Sequence, residues 1–238
     1  MEQIYMIPVS EKFEESRDDH ACGCPVCALY RMLENNEVDL IMGASMMEPD
    51  IRIKTNQLGF CATHYRMMLE QKNRLSFALT MESHLDTLRE DVTEGFLSKL
   101  FAPAKKPVGR LVELEGDCYV CQRVENNFAK VIDTILYMWE TNEEFRAKFK
   151  AQPYFCLPHY RALLAEAVRL RWNKKKLSEF SKDASGVVLP YFDSLREDIK
   201  HFCKKFDYRY TDVPWGNAKD SPERAVKFLC SDIHTGKK

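Results

Sequence analysis

The sequence predicts an all-α protein, a helical bundle of two tandem helical repeats closed by a C-terminal strap helix. Three observations predict it. Apolar residues recur at helical spacing through most of the chain. The stretch GFCATHYR at 59–66 returns as YFCLPHYR at 154–161. Each copy follows a Cys-x-x-Cys pair at nearly the same distance, 34 positions from Cys27 to Cys61 and 35 from Cys121 to Cys156.

Taken in chain order, IYMIPV at 4–9 is the segment that best fits a strand, by its alternation. Val26, Leu29, Tyr30, Leu33, Leu40 and Ile41 then mark a helix beginning behind Cys24. A second stripe, Leu85, Leu88 and Val92, lies in LDTLREDV, and the segment FAPAKKPVGR (101–110) divides the chain. Beyond it, Val124, Phe128, Val131, Ile132, Ile135 and Trp139 form a third stripe. Tyr160, Leu163, Leu164, Ala167 and Val168 form a fourth, and Phe192, Leu195, Ile199, Phe202 and Phe206 a fifth. Such stripes are expected to be core, because an amphipathic helix buries its apolar face.

The repetition extends beyond the cysteines. IRIKTNQLGFC aligns with FRAKFKAQPYFC, pairing Arg52 with Arg146, and LDTLREDV (85–92) mirrors FDSLREDI (192–199). His64 to Arg89 spans 25 positions and His159 to Arg196 spans 37, so the second copy carries extra residues, assigned to the polar run KKKLSEFSKDAS. The expected organisation is a first repeat over 1–103, a second over 104–207 and a strap over 208–238, with the repeats packed as one globular unit. In the strap, DSPERAVKFL reads as a capped helix with Pro222 in its first turn. The aromatic loop before it, with Tyr208, Arg209, Tyr210 and Trp215, reads as packing over the bundle or as a binding surface.

A net charge of −1 gives no global field toward nucleic acid or anionic membrane, and the basic run RLRWNKKK (169–176) reads as a solvated helix face. The N-terminus lacks the basic start and apolar stretch of a signal peptide, and no run approaches the ~18 apolar residues of a spanning helix. The expected location is the cytoplasm. There, nine cysteines point to metal or thiol chemistry rather than a disulfide framework.

Cys-x-x-Cys at a turn entering a helix lets two thiolates converge on one cation, and Pro25 suits a first helical position. The free N–H groups of that first turn favour thiolate. Cys-x-x-His sets its ligands at i and i+3, on one face of a helical turn. The simplest grouping is within each repeat: Cys24, Cys27, Cys61 and His64 around one zinc ion, and Cys118, Cys121, Cys156 and His159 around a second. Three thiolates and one imidazole fill a tetrahedron and leave no place for substrate, the mark of a structural site. An iron–sulfur cluster is the alternative cofactor. A thioredoxin-like reading of CPVC lacks its βαβ setting.

Cys22 reads as a bystander, with an alternative ligand or an oxidisable neighbour of the first pair as the other readings, and Cys203 and Cys230 read as small core residues. His84, His20, His201 and His234 have no partner at metal spacing. No phosphate-cradling glycine loop, nucleophile elbow or deaminase pattern occurs, and the acids of the two LRED segments read as helix-face ion pairs.

IPVSEKFEE, CPVC, MMEPDIRIKTNQLGFCATHY, CYVC with YFCLPHY, and FDYRY…DSPERAVKFL together resemble an uncharacterised family of cysteine-rich helical proteins, a domain of unknown function found in Gram-positive, often anaerobic, bacteria. The resemblance covers nearly the whole chain and implies no activity. The leading expectation is a zinc-stabilised scaffold that binds another protein. The alternatives are a labile-metal redox or zinc sensor and a small-molecule or enzymatic pocket between the repeats.

Overall fold

A computed structural model describes residues 3–93, 104–210 and 212–233. After a short 3-10 turn come α1 (Met6–Asp18), α2 (Pro25–Met42), α3 (Pro49–Leu58), α4 (Ala62–Glu70) and α5 (Arg74–Val92). Then follow α6 (Lys105–Gly116), α7 (Tyr119–Thr141), α8 (Glu143–Lys150), α9 (Leu157–Arg169), α10 (Lys174–Lys204) and α11 (Ser221–Cys230). No strand occurs among the described residues, so the protein is all-α. None of these helices is long and apolar enough to cross a membrane.

The segment 4–9, the best fit to strand alternation in the sequence, is helical like the rest: it forms the 3-10 turn and the start of α1. Ile4 and Ile7 face out while Val9, Phe13 and Ser16 are buried, a spacing of four and three rather than two. Pro8 falls in the first turn, where its missing N–H leaves no helix bond unmade. Of the divider 101–110, residues 101–103 lie outside the described residues, and 105–110 open α6.

Among the described residues the chain forms two compact units, one of residues 3–31 and 128–233, the other of residues 32–127. These are not the two sequence repeats, since each unit takes part of both. The chain leaves the first unit within α2 and re-enters it within α7.

The first unit is built on aromatic packing. Phe13 of α1 lies 4.9 Å from Phe145 of α8, centroid to centroid, and Phe149 lies 4.8 Å from Phe155 and 5.6 Å from Phe180 of α10. Trp139 meets Phe180 edge-on, donates Nε1–H to Asp183, and carries the Arg146 guanidinium over its ring at 4.2 Å. Arg146 also bonds Asp183 at 2.9 Å, joining α8 to α10. Asn142 caps α8 through the Phe145 N–H, and Asn173 caps α10 through that of Lys176. The polar run 174–185 thus becomes the first turns of one 31-residue helix, with Phe180 and Ala184 on its buried side. Phe228 of α11 packs on Tyr191 and Phe192, so the C-terminal helix does strap this unit.

The second unit has a different interior. α5 buries Ser76, Thr80 and His84, not the expected Leu85, Leu88 and Val92, of which Leu85 is exposed and the other two half-buried. Arg52 of α3 explains the choice, because it donates to Ser83 Oγ at 3.0 Å and to the Leu79 carbonyl, drawing the small polar face of α5 against α3. Arg52 therefore ties α3 to α5 as Arg146 ties α8 to α10. Leu40, Val168, Phe192 and Phe206 of the other stripes are exposed as well. Cys203 and Cys230, expected in the core, are also exposed: Cys203 follows half-buried Phe202 by one position, and Cys230 lies nearly opposite buried Phe228 on its helix.

Truncating Phe149, fully buried among three rings, is expected to cost about 3–5 kcal/mol as Phe149→Ala. Phe206→Ala, at a side chain 77% exposed, is expected to cost under about 0.5 kcal/mol. Urea unfolding of both variants checks the contrast.

Candidate metal centres

All four ligand pairs are placed by the same local device. Cys61 and Cys156 are the extended N-cap residues of α4 and α9, and Cys24 and Cys118 immediately precede α2 and α7. In each case the first cysteine's carbonyl accepts the opening helical bond, from Ala28, Tyr65, Gln122 or Tyr160. The second ligand, Cys27, His64, Cys121 or His159, then falls three residues on, in the first turn. That is the spacing at which an N-cap side chain and its partner meet over the exposed N–H groups of a helix start. Cys61 Sγ lies 3.1 Å from His64 Nδ1, and Cys156 Sγ 3.1 Å from His159 Nδ1.

The grouping within each repeat is corrected by the structure. Cys24 and Cys27 meet Cys156 and His159, while Cys61 and His64 meet Cys118 and Cys121. In each set the four ligand atoms all lie within 4.8 Å of one another. Each set thus takes one pair from each sequence repeat, yet lies wholly within one compact unit. The physical reason is arm length. α2 carries the chain 18 residues, about 27 Å, away from Cys24, whereas α3 returns it only 10 residues, about 15 Å. In the second repeat α7 runs 23 residues outward and α8 only 8 back. Neither repeat brings its own pairs back together.

In the first unit's set, Cys27 Sγ is 3.7 Å from Cys156 Sγ and 3.3 Å from His159 Nδ1, and Cys24 Sγ is 3.8 Å from His159 Nδ1. All four side chains are buried, and Phe128 packs 5.4 Å from the His159 ring. In the second unit's set, Cys61 Sγ is 3.9 Å from Cys121 Sγ, and His64 Nδ1 is 3.3 Å from Cys118 and 3.5 Å from Cys121. Here Cys118 and His64 are buried but Cys61 and Cys121 are only half-buried.

Glu34, buried on α2, sits 3.1 Å from His64 Nε2, on the side of the ring away from the sulfurs. A carboxylate there fixes the tautomer that leaves Nδ1 free as a ligand. Sequence reasoning did not find Glu34. Its only signal is a glutamate on a helix 30 positions from the histidine, and nothing local joins the two.

Two glycines hold the loops ahead of the cysteines. Gly23 has φ +73, and an added Cβ would meet the Tyr154 hydroxyl at 3.0 Å. Gly59 has φ +59, its carbonyl accepts from Tyr119 N–H at 3.0 Å, and a Cβ would meet Leu114 and His84. That bond joins the loop before Cys61 to the turn carrying Cys118.

The thiols share protons unequally. Hydrogen bonding from Cys121, against the effect of burial and with help from His64, brings Cys118 down to about 3. The same bond, with burial, pushes Cys121 up. Burial alone would lower His64, but its bonds to Cys118 and Glu34 outweigh that and raise it to about 10. In the other set, bonds to Cys24 and Cys27 raise Cys156, whereas Cys24 is lowered because bonds from Cys156 and Cys27 outweigh burial. One thiolate stabilised by neighbouring donors is the state a cation would convert to full ligation.

A family model described as a family of unknown function (DUF6062) matches residues 1–236. The chain belongs to this family. No curated protein and no solved structure matches it.

The remaining candidates fall outside both sets. Cys22 lies 3.8 Å from Asp19, and burial with that carboxylate pushes its thiol up, away from reactivity. His84 bonds the Asn56 carbonyl and His201 the Pro214 carbonyl, while His234 lies outside the described residues. Nine free cysteines and no disulfide are present. A cavity of about 580 Å³ in the first unit is walled in part by Cys24, Cys27, Arg31, Tyr191, Asp198 and Arg224. Its arginines are held by acids, Arg224 by Asp198 and Asp220, and Arg31 by Asp232. No nucleophile paired with an oriented base is found among those contacts.

Gly23→Ala is expected to cost about 1–3 kcal/mol, from strain at its φ and from displacement of Tyr154. Glu34→Gln, which keeps the shape and removes the charge, should weaken metal retention at the Cys61 set about 10-fold. Thermal denaturation checks the first, and competition with a metal-binding dye the second.

Proposed function

We propose that the protein is a helical scaffold stabilised by two zinc ions, working by binding another protein. The carrying observation is that eight side chains from four helix starts gather into two sets, each with three sulfurs and one imidazole nitrogen. With Zn–S near 2.3 Å, a regular tetrahedron sets its sulfurs about 3.8 Å apart, and a sulfur and a nitrogen about 3.5 Å apart. The sulfur–sulfur distances of 3.7 and 3.9 Å fit the first value, and sulfur–nitrogen distances of 3.1–3.8 Å bracket the second. The spacing is far too long for a disulfide. An iron–sulfur cluster spreads its ligands over more than one iron, so a single ion is favoured.

Each ion would be closed by four protein ligands, which supports a structural rather than a catalytic role. Zinc would supply binding free energy that becomes folding free energy. A protein partner is supported by the aromatic segment after α10, where Phe206 and Tyr208 are 77% and 83% exposed beside half-exposed Tyr210 and Trp215. Aromatic side chains on a surface are favoured anchors for protein association. A cytoplasmic setting, in which thiols stay reduced, suits such sites.

Elemental analysis of freshly purified protein should give two zinc equivalents per chain and a colourless solution. A metal-free protein, or a brown one containing iron, overturns the reading. Loading zinc into stripped protein at neutral pH should release at least two protons from the Cys61 set. Ligation requires thiolates and a neutral imidazole, so the thiols protonated at that pH must give up their protons. Titration in weakly buffered solution reads the release. For the partner, Tyr208→Ala with Phe206→Ala should abolish association while leaving zinc content unchanged.

A further inference from the structure

We infer that the two metal sites are not equivalent: the Cys61, His64, Cys118, Cys121 site holds a readily exchanged ion whose loss opens residues 32–127, while the other site releases its ion more slowly. The inference rests on the zinc reading above, and two independent observations carry it.

The first is access to the ligands. Cys24, Cys27, Cys156 and His159 are each 3% exposed or less, so an attacking chelator or thiol meets no open sulfur. At the other site Cys61 and Cys121 are only half-buried. Ligand exchange at a filled tetrahedral ion begins by displacing one ligand, and an exposed thiolate is the one an incoming group can reach. The cavity beside Cys24 and Cys27 does not reverse this, because both remain 2% exposed within its wall.

The second is what remains once the ion has gone. The largest fully buried side chains of the first unit include Phe13, Phe145, Phe149, Phe155, Phe180 and Phe228, whereas those of the second are Ile41 and Met68. Beside apolar Leu33, Val38, Met42, Phe60, Val120 and Val124, its interior also buries Glu34, Glu37, Thr55, Ser76, Thr80 and His84. Polar interiors contribute little net stability, since their hydrogen bonds replace bonds to water. Residues 32–127 therefore depend more on their metal for cohesion than the first unit does. Metal loss at the exposed site would act as a local unfolding switch within an otherwise folded chain, responsive to free zinc or to thiol-directed reagents.

The test uses the full-length, zinc-loaded chain. Incubation with excess EDTA and N-ethylmaleimide, sampled over time, is followed by peptide mass spectrometry and by hydrogen exchange. The expected result is release in two phases. Cys61, Cys118 and Cys121 should be alkylated with the first equivalent, about 10-fold or more faster than Cys24, Cys27 and Cys156 with the second. Amides within 32–127 should lose protection in the first phase, while those of α8 and α10 keep theirs. Exposed Cys203 and Cys230 label at once and calibrate the reagent. Release in a single phase, earlier alkylation of Cys24, Cys27 and Cys156, or loss of protection in both units together overturns the inference. A chain that holds no zinc at the outset overturns the metal reading itself, which is a different result.

Discussion

The structure depends on four helix starts, each offering two ligand atoms at the N-cap and first-turn positions. Backbone geometry alone brings the two atoms of a pair within reach of one ion, and it does so identically at Cys24, Cys61, Cys118 and Cys156. What geometry at that scale leaves open is which pairs meet. The chain resolves this by exchange: each pair of one repeat closes with the complementary pair of the other.

The exchange is not chosen by metal chemistry. Closure now spans 54 positions from His64 to Cys118 and 129 from Cys27 to Cys156, against 34 and 35 within the repeats. The added loop entropy is about 1–2 kcal/mol, small beside the roughly 10–16 kcal/mol of a structural zinc site. Either grouping would satisfy an ion. Helix length and packing decide, because α2 and α7 carry the chain further than α3 and α8 return it. The two closures are also nested, one inside the other along the chain, so the outer site spans every residue of the inner.

Much of this was legible in the sequence, and the boundary of what was legible is physical. The helices, and the placement of eight Cys and His side chains at helix starts, follow from local spacing, since i, i+3 and helical periodicity are properties of a few consecutive residues. The grouping was not legible, because the 34- and 35-residue arms look like symmetric hairpins until the unequal lengths of their helices are known. The polar buried face of α5 was hidden for a related reason. Leu85 and Leu88 have the right spacing for a core, but Arg52, far away in sequence, holds the opposite face inward through Ser83 and Leu79. Glu34 was hidden in the same way. At 4–9 six residues of apparent alternation carry no strand, because a helix begins within them and buries Val9 and Phe13.

The crossed ligation is tested most directly by counting zinc in paired cysteine variants. Cys27→Ser with Cys156→Ser should lose one equivalent, because both belong to one set, whereas Cys27→Ser with Cys61→Ser should lose both. If instead the Cys27 and Cys61 pair loses a single ion and the Cys27 and Cys156 pair loses two, ligation closes within each repeat and the account fails.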